Sequence, residues 1–190
     1  MLLLVGLGNP GSNYTNTRHN IGFKIIDAIN THFKLSKQKP KFKGLLTTGN
    51  IDEKKIYAIK PLTFMNNSGT AIKELIDYFK IDAKDVFVFH DDMDIDFGKV
   101  KAKFGGGSAG HNGIDSIDKF IGKDYSRVRV GIGHPKQKKK VNNHVLEDFK
   151  EDEEEKINEI TKNIVKQIPT LIEKKIDLFS SKVNQNLNGI

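Results

Sequence analysis

The sequence predicts one α/β domain built around a mixed sheet, and three observations carry that reading. Short apolar runs that suit buried strands alternate with longer segments whose apolar residues recur at helical spacing. The chain has 190 residues, the usual size of one domain. It shows neither an internal repeat nor a linker long enough to divide it, so residues 1–190 read as a single unit.

The elements follow in order. Leu2–Leu4 and Val5 lead through Gly6 to Leu7, a run suited to a strand buried on both faces. Residues 8–19 form a polar turn rich in glycine and asparagine. Ile21, Ile25, Ile26, Ile29 and Phe33 then mark a helix, with Asn20 placed to cap it. Segments 42–49 and 54–60 read as two strands around a turn at Asn50. After a loop from Pro61 to Asn67, Ser68 can cap a helix whose inner face is Ile72, Leu75, Ile76 and Phe79. Val86–Phe89 is a short strand that delivers His90, Asp91 and Asp92 at its carboxyl end. A strand near 98–104 enters a glycine run, 111–121 reads as a short helix, and 127–133 alternates like a strand. Beyond a lysine loop at 136–140, residues 151–182 read as C-terminal helices, with Pro169 dividing two of them or beginning the second.

Composition excludes several chemistries. There is no cysteine, so disulfides, thiolate catalysis and cysteine-ligated zinc or iron–sulfur centres are ruled out. The apolar opening stops at Gly6, far short of a signal core or membrane span, and a cytoplasmic protein without a membrane partner is expected. Charge is unevenly spread. The stretch EDFKEDEEE at 147–155 holds seven of the 24 acidic residues and one of the 31 basic ones, leaving +13 on the rest of the chain. Such a body attracts polyanions.

Two motifs tempt and fail on context. Gly6-Leu-Gly8-Asn-Pro-Gly11 satisfies the dinucleotide fingerprint, but no helix starts directly after it and no acid ends the second strand to hold a ribose. A tight glycine turn that draws neighbouring loops together is the better reading. Gly106-Gly-Ser108-Ala-Gly110 matches the serine nucleophile pattern, yet five small residues in a row more often make a close-packed loop.

What remains is a set of polar residues in or beside loops: Asn9, His19, Asn66, Asp91 and Asn112. One histidine, one carboxylate and several amides suit hydrolysis without a covalent intermediate. The imidazole would take a proton from water, the aspartate would fix its tautomer, and neutral amides would hold a carbonyl or its oxyanion. Each residue also has a plain structural reading, as a turn or cap asparagine, a turn histidine or surface charge. His111 reads as a cap or packing residue, and Asp91 with Asp92 and Asp94 could instead form a weak magnesium site.

The segments GLGNPGSNYTNTRHNIGF (6–23), KPLTFMNNSG (60–69), HDDMD (90–94), GKVKAKFGGGSAGHNGIDSI (98–117) and RVRVGIGHP (127–135) closely resemble the bacterial peptidyl-tRNA hydrolase family, in order and at compatible spacing. The resemblance implies a three-layer α/β/α domain with a central mixed, mostly parallel sheet. It implies cleavage of the ester between a peptide's carboxyl end and the 3′ ribose of tRNA, recycling tRNA from stalled translation. His19 corresponds to the family's catalytic histidine and Asp91 to its orienting acid. Asn9, Asn66 and Asn112 correspond to its substrate-positioning amides, with Asn66 placed to stabilise the oxyanion. Lys103 and Arg129 correspond to residues that hold the 5′ phosphate, and Tyr14 to a tyrosine near the cleft. Phe64 is expected in a shallow apolar patch for the peptide.

The implied partner is peptidyl-tRNA, met at its acceptor stem, 5′ phosphate, 3′ CCA end and attached peptide. A monomer with no cofactor and no metal is expected. Residues 136–150 are expected to form a mobile rim over the cleft. Asp92 stands where the family commonly has glutamate. One family branch serves RNA splicing, so a noncatalytic RNA-binding protein on the same fold is the competing class.

Overall fold

The structure, a computed structural model, describes residues 1–135 and 141–185. Strands β1 (Leu2–Gly6), β2 (Lys39–Lys41), β3 (Gly44–Ile51), β4 (Lys54–Pro61), β5 (Val86–Asp92), β6 (Val100–Phe104) and β7 (Ser126–Gly131) form one sheet. Their order is β2-β3-β4-β1-β5-β7-β6. The pairings β1–β4, β1–β5 and β5–β7 are parallel, and the rest are antiparallel. All strands but β3 and β6 therefore run the same way, as the mixed, mostly parallel expectation requires.

Alternation along the strands divides the core in two. Leu2, Leu4, Ala58, Phe87, Phe89 and Val128 face one layer, made by α1 (Ile21–His32), α5 (Glu151–Lys166), α6 (Ile168–Ile172) and α7 (Ile176–Gln185). Leu3, Val5, Ile59, Val86 and Val88 face the other, made by α2 (Ser68–Phe79) and α3 (Asn112–Ile121). β1 is buried throughout because both layers press on it. It is also the point where strand order reverses: β4 lies on one side and β5 on the other, so the carboxyl ends of β1 and β5 border the crevice where such sheets bind ligands.

Three elements depart from the sequence reading. β5 runs on through Asp92, so His90 and Asp91 lie within the sheet rather than beyond it. β2 and the short helix α4 (Val141–Leu146) were not foreseen. The Lys-Pro-Lys of β2 is wholly exposed and carries no apolar alternation to reveal it. α4 has only six residues and follows the lysine loop 136–140, which lies outside the described residues. Pro169 stands in the first turn of α6, where its missing N–H costs nothing. Among the described residues, no helix is long and apolar enough to cross a membrane.

The two sheet edges are closed differently. β2 is blunted by lysine and proline. β6 is sealed by side chains of α7: Val100 N–H donates to Asn184 Oδ1 at 3.0 Å, Asn184 Nδ2 donates back to the Val100 carbonyl at 2.7 Å, and Ala102 N–H donates to Ser180 Oγ at 2.8 Å. Asn184→Ala leaves both Val100 groups without these partners. It should lower unfolding free energy in urea by roughly 1–3 kcal/mol without altering chemistry at the crevice. An unchanged midpoint and slope would show that the helix does not seal this edge.

Candidate functional site

Histidine 19 comes from a 3-10 turn, Arg18–Asn20, directly ahead of α1. Its approach to the sheet depends on Gly6 and Gly22. A Cβ on Gly22 would overlap the Leu7 backbone and the Phe89 carbonyl, and one on Gly6 would overlap the Gly22 carbonyl. With both positions bare, the start of α1 lies against β1 and β5. His19 thereby meets Asp91, its Nδ1 lying 2.8 Å from Asp91 Oδ1.

A second imidazole reaches the same oxygen. His111 Nε2 lies 3.0 Å from Asp91 Oδ1, and the His19 and His111 rings sit 4.8 Å apart. His111 is also the N-cap of α3, its Nδ1 accepting from the N–H groups of Gly113 at 3.1 Å and Ile114 at 3.3 Å. That cap settles the tautomer. With Nδ1 accepting, the ring proton is on Nε2 and is donated to Asp91. His19 likewise donates from Nδ1, which leaves its Nε2 lone pair free to accept a proton. Burial alone would raise the Asp91 carboxyl, but His19 and His111 together hold it well below the usual carboxylate range.

Two imidazoles and a carboxylate, with ligand atoms all within 4.8 Å, are a possible metal donor set. The hydrogen bonds oppose that use. Both nitrogens facing Asp91 carry protons, and the backbone donors at His111 Nδ1 prevent its proton from moving there. The cluster is wired for orientation rather than ligation.

Asparagine 20 is not the cap the sequence suggested; it makes no side-chain bond to its helix. Instead its Oδ1 accepts from Asn9 N–H at 2.8 Å, and its Nδ2 donates to the Asn9 carbonyl at 3.0 Å. Asn9 Oδ1 in turn accepts from Met65 N–H at 2.8 Å. The turn carrying His19 is thus linked through Asn9 to the loop carrying Asn66. Met65 belongs to the core, whereas Phe64 and Asn66 stand exposed on either side of it.

His19, Asp91, Ser108, His111, Asn112 and Val145 line one cleft of about 90 Å³. Asn9 faces a neighbouring hollow of about 390 Å³, with Pro10, Phe23 and Leu62. Tyr14, Phe64, Asn66, Lys103 and Arg129 line neither. Tyr14 is half-buried in the turn Ser12–Tyr14, where its carbonyl accepts from Thr17 Oγ1 at 2.8 Å. Ser108 Oγ accepts from Gly110 N–H at 3.2 Å, a turn bond that suits a structural role. The 6–11 glycines are followed by 3-10 turns, and a Cβ on Gly8 would strike the Phe23 ring, as a close-packed turn requires.

The basic residues gather on the far side of β5. The register pairs Lys101 with Arg129 and Lys103 with Arg127, placing all four on one face. Burial, then Arg129 and Arg127, lowers the Lys103 ammonium pKa, and its Nζ packs over Gly106. Arg127 is buried. It donates to the Gly107 carbonyl and to Asp118 Oδ1, each at 2.7 Å, and so pins the glycine loop. Arg129 Nε donates to Asp92 Oδ2 at 2.7 Å.

Arg18 anchors the described part of the expected rim. Its Nη1 donates to the carbonyls of His144 at 3.4 Å and Glu147 at 3.2 Å, and its Nη2 to Glu153 Oε2 at 2.7 Å. The four acids in the first turn of α5 suit the positive end of that helix. Sequence reasoning anticipated His111 as a cap or packing residue but missed its bond to Asp91, and it missed the roles of Asn20, Arg18 and Arg127. For Arg18 and Arg127 the available signal was rarity, since only three arginines occur in the chain. Nothing in the sequence pairs residue 111 with residue 91.

The Peptidyl-tRNA hydrolase family model matches residues 3–189. A peptidyl-tRNA hydrolase of Pelagibacter ubique is 72% identical over 184 residues, covering 97% of this chain and 99% of that protein. One of Ehrlichia canis is 46% identical, covering 97% and 95%. The crystal structure of peptidyl-tRNA hydrolase from Acinetobacter baumannii is similar with a TM-score of 0.90 at 33% identity, covering 97% of this chain and 94% of that one.

The neighbour of Asp91 on β5 sets a pH dependence of stability. His90 is buried, and burial, followed by the nearby His111, pushes its pKa well below the ordinary histidine value. Its Nδ1 donates to the Asp91 carbonyl at 2.8 Å, and Nε2 is buried without a partner among the described residues. The unfolded chain takes up a proton at His90 below about pH 6.5 that the folded chain refuses. This contribution is therefore full above that pH and declines below it. Between about pH 7.5 and about pH 5.5, urea unfolding should show a smaller loss of stability for His90→Gln than for the native chain; equal losses would remove His90 as the cause.

Proposed function

The chain belongs to the peptidyl-tRNA hydrolase family, and from that membership we propose that it cleaves peptidyl-tRNA by direct attack of a water molecule activated at His19. The reaction is hydrolysis of the ester that joins peptide to tRNA. His19 Nε2 takes a proton from water as the oxygen adds to the ester carbonyl. Asp91 holds the Nδ1–H and stabilises the imidazolium that forms. His111 donates to the same carboxylate oxygen, keeping Asp91 ionised and in place. The tetrahedral oxyanion then collapses, the ribose 3′ oxygen leaves, and the imidazolium returns a proton to it.

The observation that carries this reading is the 2.8 Å contact between His19 Nδ1 and Asp91, which leaves Nε2 as the free acceptor. Asn112 lies on the cleft wall, where its amide can hold the peptide carbonyl. Asn66 is assigned to the oxyanion, and Asn9 to setting the loop that presents it. Phe64 offers an exposed aromatic surface, and Tyr14 lies in the turn ahead of His19. Lys103 and Arg129 are assigned to the 5′ phosphate of the acceptor stem, with the 3′ CCA end reaching toward His19. The assignment is to a monomer that works in the cytoplasm, where its substrate arises. An ester is intrinsically labile, so positioning plus one general base is chemically sufficient.

His19→Ala should reduce release of free tRNA from a blocked peptidyl-tRNA by roughly 10²–10⁴-fold, or about 3–6 kcal/mol, with unfolding unaltered and the native rate unchanged by chelator. Near-native turnover by the folded variant would defeat the assignment. So would tRNA binding by the native chain without release, which marks a noncatalytic binder. Removing charge at Lys103 or Arg129 should mainly raise KM and reduce the slope of log KM against log salt by about one. An unchanged slope in both variants would detach these residues from the RNA.

A further inference from the structure

The proposed reaction uses Asp91, but the next residue carries a second buried carboxylate that it leaves unassigned. Asp92 lies on the opposite face of β5, the face of His90 and Arg129, which are register partners. Both of its oxygens are held. Oδ1 accepts from Asp94 N–H at 2.9 Å, and Oδ2 accepts from Arg129 Nε at 2.7 Å. The Asp92 side chain is 6% exposed and that of Arg129 is 19% exposed. Arg129 therefore spends its inner nitrogen on Asp92, while its two terminal nitrogens have no hydrogen-bond partner among the described residues. An arginine fixed at Nε presents those terminal groups as a set fork, the geometry that matches phosphate oxygens.

We propose that Asp92 is a positioning residue that orients Arg129 toward the terminal phosphate assigned to it, so that the guanidinium meets that group in a set direction. The inference rests on the assignment of Lys103 and Arg129 to that phosphate. Lys103 shares their face of the sheet and supplies a point charge, whereas Arg129 supplies direction. Consecutive residues thus serve the two ends of one substrate: Asp91 sets the imidazole for the ester, and Asp92 sets the guanidinium for the phosphate. A free arginine would attract any phosphate of the backbone. A fixed one distinguishes an end.

The experiment compares peptidyl-tRNA bearing a 5′ phosphate with the same substrate dephosphorylated to a 5′ hydroxyl. The ratio of their kcat/KM values is measured for the native enzyme, Asp92→Asn, Arg129→Lys and the double variant. The native ratio should favour the phosphate, mainly through KM. Asp92→Asn removes a negative charge, so simple electrostatics predicts a stronger pull on RNA and an undiminished preference. The proposal requires the opposite, a preference reduced about tenfold, the worth of one charge-assisted hydrogen bond. Arg129→Lys should give a similar loss, and the double variant no further one, because the two residues act as a unit.

Thermal unfolding of each variant separates misfolding from misorientation; Asp92→Ser tests the same claim if Asp92→Asn does not fold. If the native enzyme discriminates and Asp92→Asn keeps or increases the preference, Asp92 is only a counter-charge and the proposal falls. Additive losses in the double variant overturn it as well. If the native enzyme shows no preference, the phosphate assignment of Lys103 and Arg129 falls too.

Discussion

One carboxylate oxygen organises the crevice. Asp91 Oδ1 accepts from two imidazoles that arrive from different layers of the fold, His19 ahead of α1 and His111 at the cap of α3. Each donor is fixed by its own element, so the oxygen is the point where the two layers meet. The glycines at 6 and 22 allow the first approach by leaving no Cβ between helix and sheet. Gly113 allows the second, since a Cβ there would strike Met65 Sδ and the Leu7 side chain. The resulting contacts place a charged group out of water, which is tolerable only because both neighbours donate to it.

Around that oxygen the polar side chains act as couplings between loops. Asn20 holds Asn9, and Asn9 holds Met65, so three separated stretches of chain share one geometry. Arg18 and Arg127 do the same with cations, one clasping the segment after α4 and the other the glycine loop. Buried guanidinium groups are costly unless satisfied; the terminal nitrogens of both find a carboxylate and backbone carbonyl oxygen, while each Nε is buried without a partner among the described residues. The cleft is thus tied together on the sheet side, its loop backbones held by side chains.

Much of this was legible in the sequence for a definite reason. Apolar periodicity reports burial, so β1, α1, α2 and the C-terminal helices were readable from Ile and Leu spacing alone. Periodicity says nothing about β2, whose residues are all exposed, or α4, which is too short to show a stripe. For the site, motif resemblance supplied His19 and Asp91, and the fold brings them together. Asn20 was misread because an asparagine before a helix ordinarily caps it, whereas here its amide is drawn to Asn9 across the turn. His111 was read as either cap or packing residue. It is a cap, and the same ring bonds Asp91 through its other nitrogen, a link between residues 20 positions apart that only the folded chain reveals.

The sealing of β6 by α7 has a consequence for how the polypeptide is made. The partners of Val100 and Ala102 lie 84 and 78 residues further along the chain. While a ribosome is still adding those residues, the β6 edge offers free amide and carbonyl groups to any neighbouring strand. An unpaired strand edge is a template for other chains, so crowded nascent chains stay open to pairing with one another through β6 until α7 has been made.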